Sequence, residues 1–198
     1  MTNLQISEIP KNFDYLINLY HNLANQNTKM SVTDDSKFNV SFFDGLSRKT
    51  MIFEWNDLKN SVDFLENQLK FERKSNIQKK YDSFIRKIKE SGNSIYEHIL
   101  TNEMNLDNDQ SIGEMNKFVL TKNKFPYDFG NHQHYVLWIH PNCDNQTKTR
   151  LFDREKCEKE ISKIIKLKPD LSDQFIIFRN APKNKSIATI EHFHVIFY

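Results

Sequence analysis

Histidine is the residue type whose chemistry and spacing stand out in this sequence. Five of the seven histidines lie in the last third of the chain: His132, His134, His140, His192 and His194. In a β-strand, residues i and i+2 project from the same face, about 6–7 Å apart, so His192 and His194 share a face. Imidazole titrates near neutral pH and is a common catalytic group and metal ligand. The pattern therefore predicts a histidine-lined cleft on one face of a sheet.

Three kinds of chemistry fit these histidines, and the residues by themselves leave all three open. One imidazole could attack a phosphorus atom or transfer protons while the other orients a phosphate. His134, His192 and His194 could instead coordinate zinc, or the cleft could bind a phosphorylated ligand without chemistry. A fourth, structural interpretation is that the rings hydrogen-bond to backbone carbonyls in the core. Because the spacings lack a closed structural-zinc pattern, we predict no structural metal and no cofactor.

The loop before the last histidines carries groups that suit an anion. Lys183, Lys185 and Ser186 lie within four residues of one another. Ammonium groups and a hydroxyl can converge on phosphate oxygens, although lysines in loops are also commonly just solvated.

Hydrophobic patterning predicts the elements that position these residues. Aliphatic and aromatic runs predict strands near 133–140, 174–180 and 190–198, with a helix at 153–167 packed on them. In the N-terminal half, the same patterning predicts helices at 13–25, 58–69, 75–92 and 95–100. It also predicts a β-hairpin from KFNVSFF and KTMIFEW and a surface loop at 101–113. The fold class is therefore α+β, as a single domain over 1–198. In it, 1–115 is mostly helical decoration with the hairpin, its helices covering an antiparallel sheet in 116–198.

Composition excludes several classes of protein. The net charge is only +2, with acidic and basic residues interleaved, so no broad field favours nucleic acid or a membrane surface. Cys143 and Cys157 are the only cysteines, no charged-then-apolar leader is visible, and no apolar run approaches the roughly 20 residues of a membrane span. We expect a soluble, cytoplasmic or nuclear protein with free thiols and no membrane partner.

Four blocks of the chain carry a resemblance to a known family. They are EWNDLKNSVDFLENQLKFERK, KKYDSFIRKIKESGNSIYEHIL, NKFPYDFGNHQHYVLW and FRNAPKNKSIATIEHFHVIF. In order and approximate spacing they resemble the fungal N-acetylglucosamine-induced protein family, a domain family of unknown function. That resemblance implies no established activity.

Three segments, FPYDFGNHQHYVLWI, FIIFRN and KSIATIEHFHVIF, are more remotely similar to the histidine triad superfamily. In such proteins an alternating histidine strand supplies the nucleophile for transfer of a nucleotidyl group. The resemblance implies that His194 is the nucleophile, that His192 matches the first histidine, and that Asn180 and Ser186 lie beside the phosphate. Ile196 occupies the place of the third histidine, which puts hydrolysis in doubt.

We therefore predict nucleotide or phosphate-ligand binding, with nucleotidyl or phosphoryl transfer through His194 as the chemistry of an enzyme. His134, Asn180, Lys185 and Ser186 are the predicted ligand-binding residues. The alternative is a non-catalytic nucleotide- or protein-interaction module on the same scaffold. The predicted partners are a nucleotide or another phosphorylated small molecule, a protein, or a nucleic-acid end or cap.

Overall fold

The computed structural model describes residues 29–34, 37–44, 47–55, 59, 70–105, 118–141, 154–168 and 170–198. The helix predicted at 13–25 and Cys143 lie outside the described residues. So do the helix predicted at 58–69, apart from Lys59, and most of the loop predicted at 101–113.

A first sheet is built from four strands in the order β3-β2-β1-β4. They are β1 (Lys29–Asp34), β2 (Lys37–Asp44), β3 (Ser47–Glu54) and β4 (Lys70–Phe71). β2 and β3 pair in antiparallel fashion along their whole length, which confirms the predicted hairpin. The pattern does not mark β1 or β4, because KMSVTD has only two apolar residues and a two-residue strand has no period.

Two helices follow, α1 (Ser75–Glu90) and α2 (Ile95–Asn102). α1 buries Tyr81 and Ile88, and it ends just before Gly92, whose φ of 78° is the left-handed conformation that glycine adopts without strain. α2 begins with a capping box in which the Ser94 hydroxyl accepts the Glu97 N–H and the Glu97 carboxylate accepts the Ser94 N–H. Both helices lie where the sequence predicted them.

The second sheet is antiparallel and has the order β5-β6-β8-β7. Its strands are β5 (Phe118–Lys122), β6 (Gln133–Ile139), β7 (Phe175–Phe178) and β8 (His192–Phe197), and α3 (Arg154–Ile165) contacts β5 and β7. This arrangement confirms the α+β class, the three predicted strands and the helix between them. The short β5 is an additional strand that its five-residue run did not indicate.

Both faces of this second sheet are buried. On one face Leu137 and Phe193 pack with Ile161 of α3, and on the other Val136 and Trp138 pack with residues of and after α2. The sequence predicted a cleft on the histidine face, but the structure covers that face. The cover comes from α2 and from the segment 125–129, which the strand pattern alone could not place.

Among the described residues, no helix has both the length and the apolar character that crossing a membrane requires.

Candidate functional site

Three of the predicted histidines meet on the covered face of the second sheet. His134 lies on β6, His192 and His194 lie on β8, and the antiparallel register places Val136 opposite His194 and Trp138 opposite His192. The residues His134, His192 and His194 are 3%, 5% and 5% exposed. Burial lowers the pKa of all three imidazoles. For His134, burial together with the nearby Arg73 charge lowers the pKa to about 3. All three imidazoles are therefore neutral at physiological pH.

His134 and His194 belong to one chain of hydrogen bonds. The backbone N–H of Tyr127 donates to His134 Nδ1 at 3.0 Å, and His134 Nε2 lies 3.0 Å from His194 Nδ1. The Asn180 amide continues the chain, since its Nδ2 lies 3.0 Å from His194 Nε2 and 2.7 Å from the Tyr127 hydroxyl. The Tyr127 ring also stacks on His134, with the centroids 5.2 Å apart.

The backbone N–H of Tyr127 determines which nitrogen carries the proton in both His134 and His194. Because that N–H can only donate, His134 Nδ1 accepts, and the proton of neutral His134 lies on Nε2 and is donated to His194 Nδ1. The proton of His194 then lies on Nε2. If Asn180 donated to that nitrogen, His134 would have no proton at all, so the amide must turn its oxygen towards His194.

His192 has the opposite tautomer. Its Nδ1 lies 2.9 Å from the backbone oxygen of Ile190, and a carbonyl can only accept. The proton therefore lies on Nδ1, and Nε2 keeps its lone pair. A histidine held in this way is oriented for nucleophilic attack or proton transfer through Nε2.

Two cavities adjoin the network. The smaller, of about 70 Å³, is lined by His192, His194, Trp138 and Ser186, among others. The larger is a groove of about 580 Å³ whose lining includes Asn180, Asn184 and Ser186. Both cavities are also lined by Arg73, Tyr81 and Tyr127, so these residues mark where they meet. The volume of the groove lies within the range of small-molecule sites.

The structure brings most of the predicted site residues together. Ser186 lines both cavities and Asn180 lines the groove, while His134 lies behind His194 in the network. Lys185 is placed elsewhere, because its ammonium contacts both Glu191 oxygens at 2.9 and 3.1 Å. The Glu191 carboxylate therefore competes with the anion that the sequence predicts for Lys185.

Two large aromatic residues beside the histidines are buried. Trp138 is 6% exposed, its indole N–H donates to Thr121 Oγ1 at 2.9 Å, and its ring lies 5.1 Å from that of His192. Tyr127 is 8% exposed, and burial raises the pKa of its hydroxyl. Both rings therefore form part of the site wall.

Arg73 is a site residue that the sequence analysis did not single out. Its guanidinium lies 4.2 Å from the Tyr81 ring centroid and 4.6 Å from that of Tyr127, and its Nε–H donates to the Phe125 carbonyl. The partners are up to 54 residues away in sequence, so no local pattern could have indicated this placement.

No group of three or more His, Cys, Asp or Glu side chains within the described ranges is arranged to hold a metal ion. The three histidines lie together, yet His134 and His194 direct nitrogens at each other instead of at a common point.

Together, the fold and site define an α+β protein in which a neutral histidine network adjoins a polar groove. Over residues 54–198 the chain matches the family described as a protein of unknown function (DUF3605), and it belongs to that family. The match begins at Glu54, the first residue of the four blocks singled out above. No curated protein and no solved structure matches the chain. The resemblances to the N-acetylglucosamine-induced and histidine triad proteins stay predictions.

Proposed function

We propose that this protein binds a nucleotide or another phosphorylated small molecule across the small cavity and the groove. Phosphoryl or nucleotidyl transfer to a histidine is the chemistry that the site would perform. One observation carries the proposal: His192 is a buried, neutral imidazole with its lone pair on Nε2, and it lines a cavity that shares Ser186 with the groove.

The proposed reaction begins with attack by the unprotonated nitrogen. His192 Nε2 forms a bond to phosphorus while the bond from phosphorus to the leaving oxygen breaks, and that oxygen takes up a proton. The Ser186 hydroxyl, which lines both cavities, can donate this proton while it takes one from solvent, and the hydrolysis that follows returns a proton to solvent. Water then hydrolyses the nitrogen–phosphorus bond and restores the neutral imidazole.

His194 has a different role in this proposal. The resemblance to the histidine triad superfamily made His194 the nucleophile, but in the neutral network its Nε2 carries a proton and its Nδ1 accepts from His134. His194 could attack only after a proton moved along the chain. Because both of its ring nitrogens are hydrogen-bonded in the network, His194 in this proposal positions Asn180, which lines the groove.

The two assignments predict different outcomes for matched substitutions. Wild type, His192→Asn and His194→Asn are incubated with dinucleoside polyphosphates, nucleoside phosphoramidates, capped dinucleotides and nucleotide sugars. Turnover and the covalent adduct are followed by chromatography and intact-mass spectrometry. We expect His192→Asn to abolish both while nucleotide affinity stays within about tenfold, because a nucleophile acts mainly in the transition state. If only His194→Asn loses turnover and the adduct, the nucleophile is His194, as the resemblance implied.

A non-catalytic binding module is the second candidate, and the closed hydrogen bonding of His134, His194 and Asn180 favours it. Such a module consumes none of these substrates, and both substitutions weaken nucleotide binding comparably. If nucleotides neither raise the melting temperature nor are consumed, the proposal as a whole is wrong.

A further inference from the structure

Two residues that line the small cavity each carry a buried polar atom that lacks a hydrogen-bond partner among the described residues. The Tyr81 hydroxyl and His98 Nε2 are buried atoms for which the described part of the chain supplies no hydrogen-bond partner. Tyr81 is only 9% exposed, and both residues line the cavity. A buried polar group without a partner destabilises the folded protein, so such groups commonly mark the place of a ligand or an ordered water.

The tautomer of His98 follows from its neighbour. The Asn102 amide nitrogen donates to the His98 backbone carbonyl at 3.0 Å, and this orients the amide. The same nitrogen lies 3.2 Å from His98 Nδ1, which must therefore accept. The His98 proton is on Nε2, and the atom without a partner is an N–H donor. Both orphan groups can thus donate to one acceptor-rich ligand.

Arg73 adds a positive charge beside these donors. This half-buried guanidinium has no carboxylate partner among the described residues, and its contacts are the Phe125 carbonyl, the Gln78 side chain and two tyrosine rings. By contrast, Arg86 and Arg179 each lie within 4 Å of a glutamate. A partly desolvated cation without a counter-ion favours an anionic ligand.

The other charges near the small cavity agree with this assignment. Its lining includes Lys122, Lys124 and Glu103, and the carboxylate of Glu103 forms a 2.6 Å ion pair with Lys124. Arg73 and Lys122 therefore leave the described lining with an excess of positive charge. The groove adds Lys79 and Glu72, whose charges offset each other.

We propose that the small cavity seats the anionic phosphate of the ligand, held by the Arg73 guanidinium, the Tyr81 hydroxyl and His98 Nε2–H, while the rest of the ligand lies in the groove. This inference rests on the proposed function and names the charged end of its ligand. A cavity of about 70 Å³ holds only a few non-hydrogen atoms, which suits a terminal phosphate group. A phosphate in this cavity would also lie beside His192, which lines the same cavity.

Calorimetry with AMP, inorganic phosphate and adenosine tests the assignment. We expect wild type to bind AMP and phosphate and to bind adenosine at least about tenfold more weakly than AMP, because adenosine lacks the charged hydrogen bonds that the phosphate forms. Arg73→Gln should weaken AMP binding at least about tenfold. Arg73→Lys should retain part of the affinity, since it keeps the charge but loses the planar fork.

Tyr81→Phe distinguishes ligand binding from a purely structural role of the hydroxyl. Removing an orphan hydroxyl should leave the melting temperature of the ligand-free protein unchanged or raised, while AMP binds several-fold more weakly. Arg86→Gln on α1 and Tyr96→Phe on α2 are the matched controls, and neither residue lines either cavity. Both controls should bind AMP as wild type does.

The results separate this inference from the proposed function. If His192→Asn or Asn180→Ala weakens AMP binding while Arg73→Gln and Tyr81→Phe do not, the phosphate lies elsewhere and only the present inference is wrong. Equal binding of adenosine and AMP would also overturn it, since the cavity would then hold only water. If wild type binds neither AMP nor phosphate, both proposals fall.

Discussion

At the scale of single residues, backbone groups determine which nitrogen carries the proton in each ring of the histidine network. A backbone N–H and a backbone carbonyl have fixed roles as donor and acceptor, and each determines the tautomer of the ring that it contacts. Because burial keeps His134 and His194 neutral, the tautomer of His134 determines that of His194.

These tautomers are a direct prediction. In nitrogen-15 spectra at pH 7, His134 and His194 should be protonated at Nε2 and His192 at Nδ1, because of the backbone groups that they contact. Single His→Gln variants assign the signals. Finding His192 protonated at Nε2 would remove its role as nucleophile.

The stability of the protein should depend on pH through the same rings. The pKa of His134 is about 3 in the folded protein against 6.5 when exposed, so between these values the unfolded chain binds more protons. The free energy of unfolding should therefore fall as the pH decreases below about 6.5. Urea titrations from pH 7.5 to 5 measure this fall.

His134→Gln should reduce the slope of the unfolding free energy against pH by up to about 1.4 kcal/mol per pH unit, which is the contribution of one bound proton. Tyr127→Phe is the matched control, since it perturbs the same network without removing an imidazole, and it should keep the wild-type slope. Identical slopes in wild type and His134→Gln would mean that His134 does not titrate differently on folding.

At the scale of elements, α2 covers the small cavity and depends on its capping box. The Ser94 hydroxyl accepts the Glu97 N–H at 3.1 Å, and hydrogen bonds from Ser94 lower the pKa of the Glu97 carboxyl. α2 has only eight residues, so its first turn is a large part of the helix.

Ser94→Ala should lower the free energy of unfolding by about 1 kcal/mol, because it leaves a helix N–H without its acceptor. Chemical denaturation measures the change. Ser162→Ala is the control, since that exposed hydroxyl only donates to the Glu158 carbonyl within α3. Equal effects of both substitutions would show that the box does not stabilise α2.

At the scale of the whole molecule, Phe71 joins the first sheet to the covered face of the second. Its ring centroid lies 4.6 Å from that of Phe178, 5.3 Å from Phe129 and 5.6 Å from Tyr127, and the residue is 7% exposed. This aromatic cluster also holds the segment 125–129 over the histidines.

Phe71→Ala should destabilise the protein by about 3–5 kcal/mol, because it leaves a cavity among these rings. Leu167→Ala, at a residue that is 80% exposed, should change stability very little. Thermal and urea unfolding measure both variants. A small effect of Phe71→Ala would show that β4 is not anchored on the second sheet.

Metal removal should leave the folded state unchanged. The second sheet has a buried core that includes Leu137, Phe193 and Ile161, and apolar burial of this kind stabilises a fold without a metal. The melting temperature with and without a chelator is the measurement. A fall on chelation, with stoichiometric zinc in the purified protein, would contradict this prediction.

Local pattern in the sequence was sufficient to predict the hairpin of β2 and β3, helices α1 to α3, three strands of the second sheet and the histidine pair of β8. Each of these depends on a period of 2 or 3.6 residues or on a capping residue, which neighbours along the chain supply. The closeness of Ser186 and Asn180 to the histidines followed only from the resemblance.

Tertiary structure alone decided the rest. Burial of the histidines and the position of Arg73 beside Tyr127 depend on contacts between distant segments. The pairing of Lys185 with Glu191, six residues apart, depends on the course of the loop between them. Tautomers and pKa values also depend on distant contacts, because desolvation and hydrogen-bond partners are properties of the packed protein. Residue types and local spacing therefore indicate the histidines as groups for chemistry, whereas the packing of α2, β4 and the segment 125–129 determines how they are arranged and which further side chains join them.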